Sequence, residues 1–315
     1  MKKILLCFSL TVCLLSAVTI DELVKNTNEN NYDLKSIDKS IEVANHQISL
    51  SKKWQNPTLS LGLNDLWLND LSSRDKEAMQ ASFIGLSQVI PTGSKLEIKE
   101  KIAQKDRNIQ ILNLEDKKLE LESKVYEYVY TILLLERKYK LLESYEQNIK
   151  KLETLFTSLY KYQKVTQNEI LNSQISALDI SLQKQNLKNM IDNSYLKLEQ
   201  ITYTKIDKID ENIDIKKINL LTINQEHPKF KTLEEMANKS KNMADLEAEK
   251  KIPDLMLNVA YFQRDSKFND YVNVSVSFPL PIYDTENTAR LQAKMNMNET
   301  NDKLDSLIHS LGIQT

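Results

Sequence analysis

The chain has few of the residues that end regular structure: its 315 residues include only four glycines and six prolines. Between Gly93 and Pro228 there is neither. That stretch is rich in Lys, Glu, Gln, Leu and Ile, so it predicts long helix and excludes a compact mixed domain there. Cysteine is nearly absent, and Cys7 and Cys13 both lie in the apolar run at the N-terminus. A chain cleaved after that run keeps no thiol, which excludes disulfides, thiolate metal sites and cysteine catalysis. Net charge is close to balance at −2, and no Lys/Arg-rich block stands out, so nothing points to nucleic acid. No later segment reaches 18 consecutive apolar residues, which excludes a membrane helix. If the chain enters a membrane, it must do so as a closed barrel.

Catalytic patterns are also lacking. There is no Gly-rich phosphate loop, no G-x-S-x-G elbow and no nucleophile paired with a base, so the chain does not read as an enzyme. His46, His227 and His309 are scattered without an i, i+4 partner, which argues against a metal site, and no cofactor is expected. His227-Pro228 reads as a helix boundary. Met295 and Met297 read as flexible gap-filling rather than soft-metal transport. Asp and Glu alternate with Lys at helical spacings, which is the pattern of a solvated face.

At the N-terminus, Lys2 and Lys3 precede the apolar run Ile4–Leu15 and the small residues Ser16-Ala17. This is an export signal over residues 1–17. Leu10-Thr11-Val12-Cys13 has some likeness to a lipoprotein box, but the apolar run continues past the cysteine.

Beyond the signal, one cassette occurs twice, about 190 residues apart. The first copy runs Lys52-Lys53-Trp54, Pro57, the alternating Thr58–Leu63, a polar loop, the alternating Ser82–Ile90, and Pro91. The second runs Lys250-Lys251-Ile252, Pro253, alternating Leu255–Tyr261, a polar loop, alternating Val272–Phe278, and Pro279-Leu280-Pro281. Five of the six prolines thus sit at the edges of proposed strands, where a missing N–H is tolerated. Strands are expected at Thr58–Leu68, Gln80–Ile90, Asp254–Phe262 and Tyr271–Phe278. One face of these strands is apolar: Leu59, Leu61, Leu63, Ile84, Leu86, Leu255, Leu257, Val259, Val272, Val274, Val276 and Phe278. The other carries Ser60, Asn64, Asn273, Ser275 and Ser277. Lipid outside and water inside is the alternation of a membrane barrel. Four strands leave two edges and cannot close alone, so self-association is required.

The remainder reads as helix. Thr19-Ile20-Asp21-Glu22 has capping-box spacing and starts a helix expected to reach Trp54. Ser94-Lys95-Leu96-Glu97 repeats that signature. Leu142, Tyr145, Ile149, Leu152, Phe156 and Leu159 then alternate by three and four, the mark of a supercoiled seam. At 1.5 Å per residue, Ser94–Lys161 spans on the order of 100 Å. Thr166-Gln167-Asn168-Glu169 starts a new helix, whose returning seam is expected at Leu171, Ile175, Leu178 and Leu182 and then Leu187, Ile191 and Leu198. The tip of the hairpin is therefore expected at Tyr162, Gln163, Lys164, Val165, Thr166, Gln167 and Asn168. A further helix is expected over Phe230–Ile252.

Three stretches resemble the TolC-type outer-membrane efflux proteins. Asn56-Pro57-Thr58-Leu59-Ser60-Leu61 is similar to the family's first strand, and Ser82–Pro91 to its second strand with a proline exit. Tyr162–Gln174, ending Glu169-Ile170-Leu171-Asn172-Ser173-Gln174, resembles its tip motif, with Lys164 where the family usually has glycine. The resemblance implies a mainly α fold with a small β component. A long antiparallel coiled-coil hairpin would accompany four strands, and a homotrimer would build a twelve-stranded transmembrane β-barrel. It implies a cell outer-membrane location with helices in the periplasm, and partners in outer-membrane lipid, a periplasmic adaptor that docks at the tip, and an inner-membrane pump.

The resulting domain scheme is a signal peptide (1–17), repeat 1 (18–203), an equatorial connection (204–229) and repeat 2 (230–315). After the first cassette, Thr92–Ile201 builds a hairpin, whereas only Ile282–Thr315 follow the second, so repeat 2 reads as truncated. The leading function is a passive exit duct. The alternatives are a periplasmic coiled-coil adaptor, which would need a Gly-rich β domain that this sequence lacks, and a non-functional remnant of the channel.

Overall fold

The computed structural model describes residues 18–67, 69, 75–211 and 226–314, with side chains to residue 310. The expected signal peptide, Leu68 and residues 212–225 of the expected connection lie outside the described residues. The fold is mainly helical with one small sheet. It divides into two compact bodies: one from the described parts of Met1–Ser36 and Asp116–Asn219, the other from those of Ile37–Glu115 and Leu220–Thr315.

In the first body, α1 (Ile20–Asn30) opens with a reciprocal cap. Thr19 Oγ1 accepts from Glu22 N–H at 3.3 Å, and Thr19 N–H donates to the Glu22 carboxylate at 3.1 Å. The helix does not run on to Trp54. It stops at Asn31, whose extended backbone (ψ 123°) ends α1, and α2 (Tyr32–Ser51) begins afresh. The Asn31 side chain explains the break: its oxygen accepts from Asp33 N–H at 2.9 Å and Leu34 N–H at 3.3 Å, while its amide donates to Ile201 O at 3.0 Å. One short amide thus satisfies helix-end groups that would otherwise be orphaned.

The long hairpin is α3 (Lys95–Lys161, 67 residues) followed by α4 (Gln167–Thr202, 36 residues). Ile20 and Leu23 of α1 pack with Val125, Val129 and Ile132 of α3 and Leu198 of α4, and Ile206 and Ile209 complete this core. Val18 pairs with the backbone around Ile209, and both of its hydrogen bonds are 3.1 Å.

The first half of the α4 seam is not where the spacing placed it, whereas Leu187, Ile191 and Leu198 lie on the buried side as expected. Leu171, Ile175, Leu178 and Leu182 are exposed, the last two by about two thirds (66% and 65%). The more buried positions include Ile170, Ser173, Ala177, Ile180, Lys184, Leu187, Ile191 and Leu198. On α3, Leu142, Ile149, Phe156 and Leu159 are half-buried as expected, whereas Tyr145 and Leu152 are exposed. The hairpin's helices therefore carry a second apolar stripe beside the seam. Polar layers interrupt the seam itself, because Lys184 meets Glu146 at 2.7 Å, Gln174 meets Glu153 at 2.8 Å, and Tyr195 meets Glu136 at 3.0 Å.

In the second body, His227 caps α5 (Pro228–Glu249), its Nδ1 accepting from Lys229 N–H at 3.2 Å, with Pro228 in the first turn. The helix ends at Glu249 rather than Ile252: Lys250 keeps an α-region backbone, and the chain then tightens into turns in which Lys251 N–H donates to Ala248 O at 3.4 Å and Ile252 N–H to Glu249 O at 3.1 Å. α5 packs along α6 (Thr285–Gln314), and the buried Ala244, Ala293 and Thr300 are small enough for close approach.

The strands β1 (Thr58–Asn64), β2 (Ala81–Ile90), β3 (Leu255–Gln263) and β4 (Tyr271–Ser277) form one antiparallel sheet in sequence order. β1 stops before the expected Leu68 because Asp65 turns to a positive φ of 50°. The two cassettes join through β2 and β3, with Gly85 opposite Ala260.

Candidate functional site

The register of the sheet gathers the expected apolar residues on one face. Leu61, Ile84, Tyr261 and Val272 form one row across all four strands, and Leu59, Leu86, Val259 and Val274 the next. Leu257 sits opposite Val276, Leu255 opposite Ile90 and Leu63 opposite Ser82. Phe278 continues the alternation beyond β4 and is exposed. Leu61 and Val274 are 71% and 62% exposed, so among the described residues little covers this face. The four strands contain no Asp, Glu, Lys, Arg or His. The opposite face presents Ser60, Asn64, Asn273, Ser275 and Ser277 as expected, together with Ser87, whose hydroxyl donates to Asn258 Oδ1 at 2.6 Å.

Where strands become helices, sequence reasoning missed a polar knot. Lys95, the first residue of α3, is 4% exposed. Its ammonium donates to Asp254 Oδ1 at 2.6 Å, to Thr92 Oγ1 at 3.4 Å and to the carbonyl of Ile252. Thr92 N–H also donates to Asp254, at 3.0 Å, and Thr92 Oγ1 donates to Pro253 O at 2.7 Å. Burial alone would raise the Asp254 carboxyl, but the hydrogen bonds from Lys95 and Thr92 outweigh it and hold it below the usual range. A cation at a helix N-terminus runs against the macrodipole. The Glu249 carboxylate offsets this by accepting from Ser94 N–H at 2.9 Å. Gly93 is required here: its φ is +66°, and a Cβ would lie 2.2 Å from Glu249 Oε1. The knot thus ties the exit of the first cassette to the start of the second.

At the loop end of the sheet, Arg264 Nε donates to Asn269 O at 2.6 Å and Nη1 to Ala78 O at 3.1 Å, while Lys267 pairs with Asp75 at 2.9 Å. The contacts to Ala78 and Asp75 join the β3–β4 loop to the β1–β2 loop. Buried Gln80 steadies the latter, donating to Asp65 O at 3.0 Å and accepting from Lys76 N–H at 3.1 Å.

The expected tip residues Tyr162, Gln163, Lys164, Val165, Thr166, Gln167 and Asn168 form the turn between α3 and α4 and are exposed, except half-buried Val165. Lys164 N–H donates to Leu159 O at 3.1 Å and Gln163 N–H to Tyr160 O at 2.9 Å, a Schellman closure. The residue with positive φ is Gln163 (57°), not Lys164. Thr166 N–H donates to the Glu169 carboxylate, which also accepts from Thr166 Oγ1 at 2.9 Å, closing the capping box. Farther along the hairpin, hydrogen bonds from Lys150 and Lys184 hold the Glu146 carboxyl at about 2. Burial, then the Glu136 carboxylate, push the Tyr195 phenol up.

Among the described residues no group of His, Cys, Asp and Glu could hold a metal ion, and no helix is long and apolar enough to cross a membrane.

This fold recurs in known proteins. The outer-membrane channel CmeC of Campylobacter jejuni superposes with a TM-score of 0.72 at 17% identity, over 93% of this chain and 68% of that one. VceC of Vibrio cholerae gives 0.72 at 11% identity, over 93% and 76%. The MtrE outer-membrane channel of Neisseria gonorrhoeae, in its open state, gives 0.70 at 12%, over 92% and 70%. No curated protein sequence matches the chain. The sequence profile of the outer membrane efflux protein family matches residues 23–202, which take in most of α1, all of α2 through α4 and the first strand pair, and the chain belongs to that family.

Proposed function

We propose that this protein is the outer-membrane channel component of a tripartite efflux system, a passive exit duct docked to a periplasmic adaptor and an inner-membrane pump. The observation that carries the proposal is the sheet. It has an apolar face free of charge, a polar opposite face, and unpaired edges at β1 and β4. Such a sheet is expensive in water and incomplete in a membrane until its edges are paired. Three copies give twelve strands, enough to close around a water-filled lumen. The apolar face from Leu59 to Phe278 would meet lipid, and the Ser/Asn face would meet water. The Schellman turn at Gln163–Lys164 and the capped start of α4 would present Tyr162, Gln163, Lys164, Thr166 and Gln167 to the adaptor, with the strands in the outer membrane and the helices in the periplasm.

Membrane fractionation with crosslinking tests this reading. The full chain should sediment with the outer membrane and crosslink as a trimer. An adaptor would instead fractionate with the inner membrane or periplasm, and that outcome would overturn the assignment. Adaptor docking has its own test: Lys164→Glu with Gln167→Glu should abolish crosslinking to the adaptor while leaving membrane insertion intact. Unchanged crosslinking would remove the tip from the proposal.

A further inference from the structure

The two cassettes enter the sheet through turns built alike. After α2, Lys53 N–H donates to Leu50 O at 3.0 Å, and after α5, Ile252 N–H donates to Glu249 O at 3.1 Å. The doubled lysines divide in the same way in both copies. Lys52 meets Glu100 at 2.7 Å and Lys250 meets Glu247 at 2.6 Å, so the first lysine of each pair is held by a helix glutamate. The second is not: Lys53 and Lys251 are exposed, and neither ammonium has a hydrogen-bond or ion-pair partner among the described residues. The carboxylates nearby are already engaged, Glu249 by Ser94 N–H at 2.9 Å and Asp254 by Lys95 at 2.6 Å. The residue after each free lysine, Trp54 or Ile252, is apolar and exposed. Both turns lie at the helix-side end of the apolar face, because Gln88 Nε2 donates to Gln55 O at 3.0 Å and Lys95 donates to Ile252 O. The exit of β4 at the same end is exposed and apolar too, through Phe278, Leu280, Ile282 and Tyr283.

Exposed indole and phenol rings beside free ammonium groups suit neither bulk water nor the centre of a bilayer. They fit the boundary between the two, where such rings settle and a lysine stem lies along apolar surface while its head reaches out. We propose that the two turns form a seat for anionic phospholipid at the helix-side boundary of the membrane, with Lys53 and Lys251 binding the headgroup phosphate. The inference rests on the channel reading above, since a sheet set in lipid is what carries the turns to that depth. Charge and continuity identify the occupant. The groups left unpaired are cations, and the acyl chains of a lipid held there would run on to Leu59 and Leu255 of the apolar face, which are exposed. Each lysine near a membrane surface favours anionic lipid by an amount that salt screens.

The chain's two tryptophans supply the test. Trp54 lies in the first turn and Trp67 beyond β1 at the loop end, so Trp67→Phe leaves one fluorophore, at the seat. The full chain carrying Trp67→Phe would be reconstituted into mixed phosphatidylcholine–phosphatidylglycerol vesicles in which one lipid or the other has brominated acyl chains. At equal mole fraction, brominated phosphatidylglycerol should quench Trp54 as though enriched roughly 2–5-fold over phosphatidylcholine, and added salt should reduce the enrichment. Lys53→Gln with Lys251→Gln should abolish the enrichment while quenching itself persists, whereas Lys52→Gln with Lys250→Gln should leave it in place. Equal quenching by the two lipids overturns the seat, and so does an enrichment that the Lys52 and Lys250 variant removes as fully. The channel reading has a separate reporter, Val274→Trp in a chain that also carries Trp54→Phe and Trp67→Phe. If Val274→Trp is quenched and Trp54 is not, the seat is overturned while the channel stands; quenching at neither position overturns both.

Discussion

The sheet and the helical hairpin both expose apolar side chains, but in different company. On the sheet, Leu59, Leu61, Val272 and Val274 are exposed among strands that contain no charge. On α4, Leu171, Leu178 and Leu182 are just as exposed, yet Glu169, Asp179 and Lys184 lie among them on the same helix. An uncharged apolar face suits hydrocarbon, where a single charge is costly. A stripe mixed with charge suits a second helix in water, where e- and g-type charges flank an apolar seam. Exposed apolar area alone therefore does not identify a lipid surface; the absence of charge around it does.

The sharpest way to break this comparison is to place charge on each surface. Leu61→Arg or Val274→Arg should destabilise the membrane-inserted protein by about 2–4 kcal/mol, while Ser60→Arg or Ser275→Arg should cost little. Denaturant titration in detergent or lipid would read the difference, and equal losses at all four positions would reverse the assigned orientation. On the hairpin, Leu178→Lys should leave the fold of the single chain within ~0.5 kcal/mol, as expected for a surface change. Truncating a true core residue, as in Leu198→Ala, should cost about 2–5 kcal/mol. A Leu178 variant that unfolds the isolated chain would place that residue back in the seam.

Two smaller effects sharpen the account of the hairpin. Gln163→Gly should stabilise it by up to ~1 kcal/mol, since only glycine holds a left-handed φ without strain, and Lys164→Gly should not. Thermal unfolding of both variants separates the two positions. The Glu146 carboxyl is depressed to about 2 by Lys150 and Lys184, so its contribution is complete above the ordinary carboxylate range. It should be lost as the pH falls from about 4.5 toward 2. Glu146→Gln should flatten that part of the stability profile, measured as unfolding midpoint against pH.

What the sequence revealed, and what it hid, follows from periodicity. A period of two is unambiguous once strands exist, because shifting the register by one residue moves every side chain to the other face. The prolines at 57, 91, 253, 279 and 281 bounded the strands, and the expected apolar positions within the strands share a face. Helical spacing is weaker. On α4 two stripes both step by three and four, and the more apolar stripe, through Leu171 and Leu182, is the exposed one. The stripe facing α3 carries Ser173 and Lys184, which look like surface residues until Glu146 is seen opposite. The break at Asn31 was legible in principle, since Asn two residues before Asp33 is a capping pattern. The left-handed turn at Gln163 was not, because glutamine carries no sign of it. The stack of Phe83, Phe262 and Tyr271 on the sheet was hidden in another way: Phe83 is far from the other two in sequence and meets them only through the pairing of β2 with β3.

The central claim is that the sheet separates lipid from water, and cysteine scanning of β4 tests it most directly. The chain's two cysteines, Cys7 and Cys13, lie in the expected signal peptide, so a processed protein offers a clean background. Single cysteines from Val272 to Ser277, in protein reconstituted into vesicles, would be challenged with a water-soluble maleimide. The account predicts labelling with a period of two: fast at Asn273, Ser275 and Ser277, and slow at Val272, Val274 and Val276. Uniform labelling along the strand would contradict it.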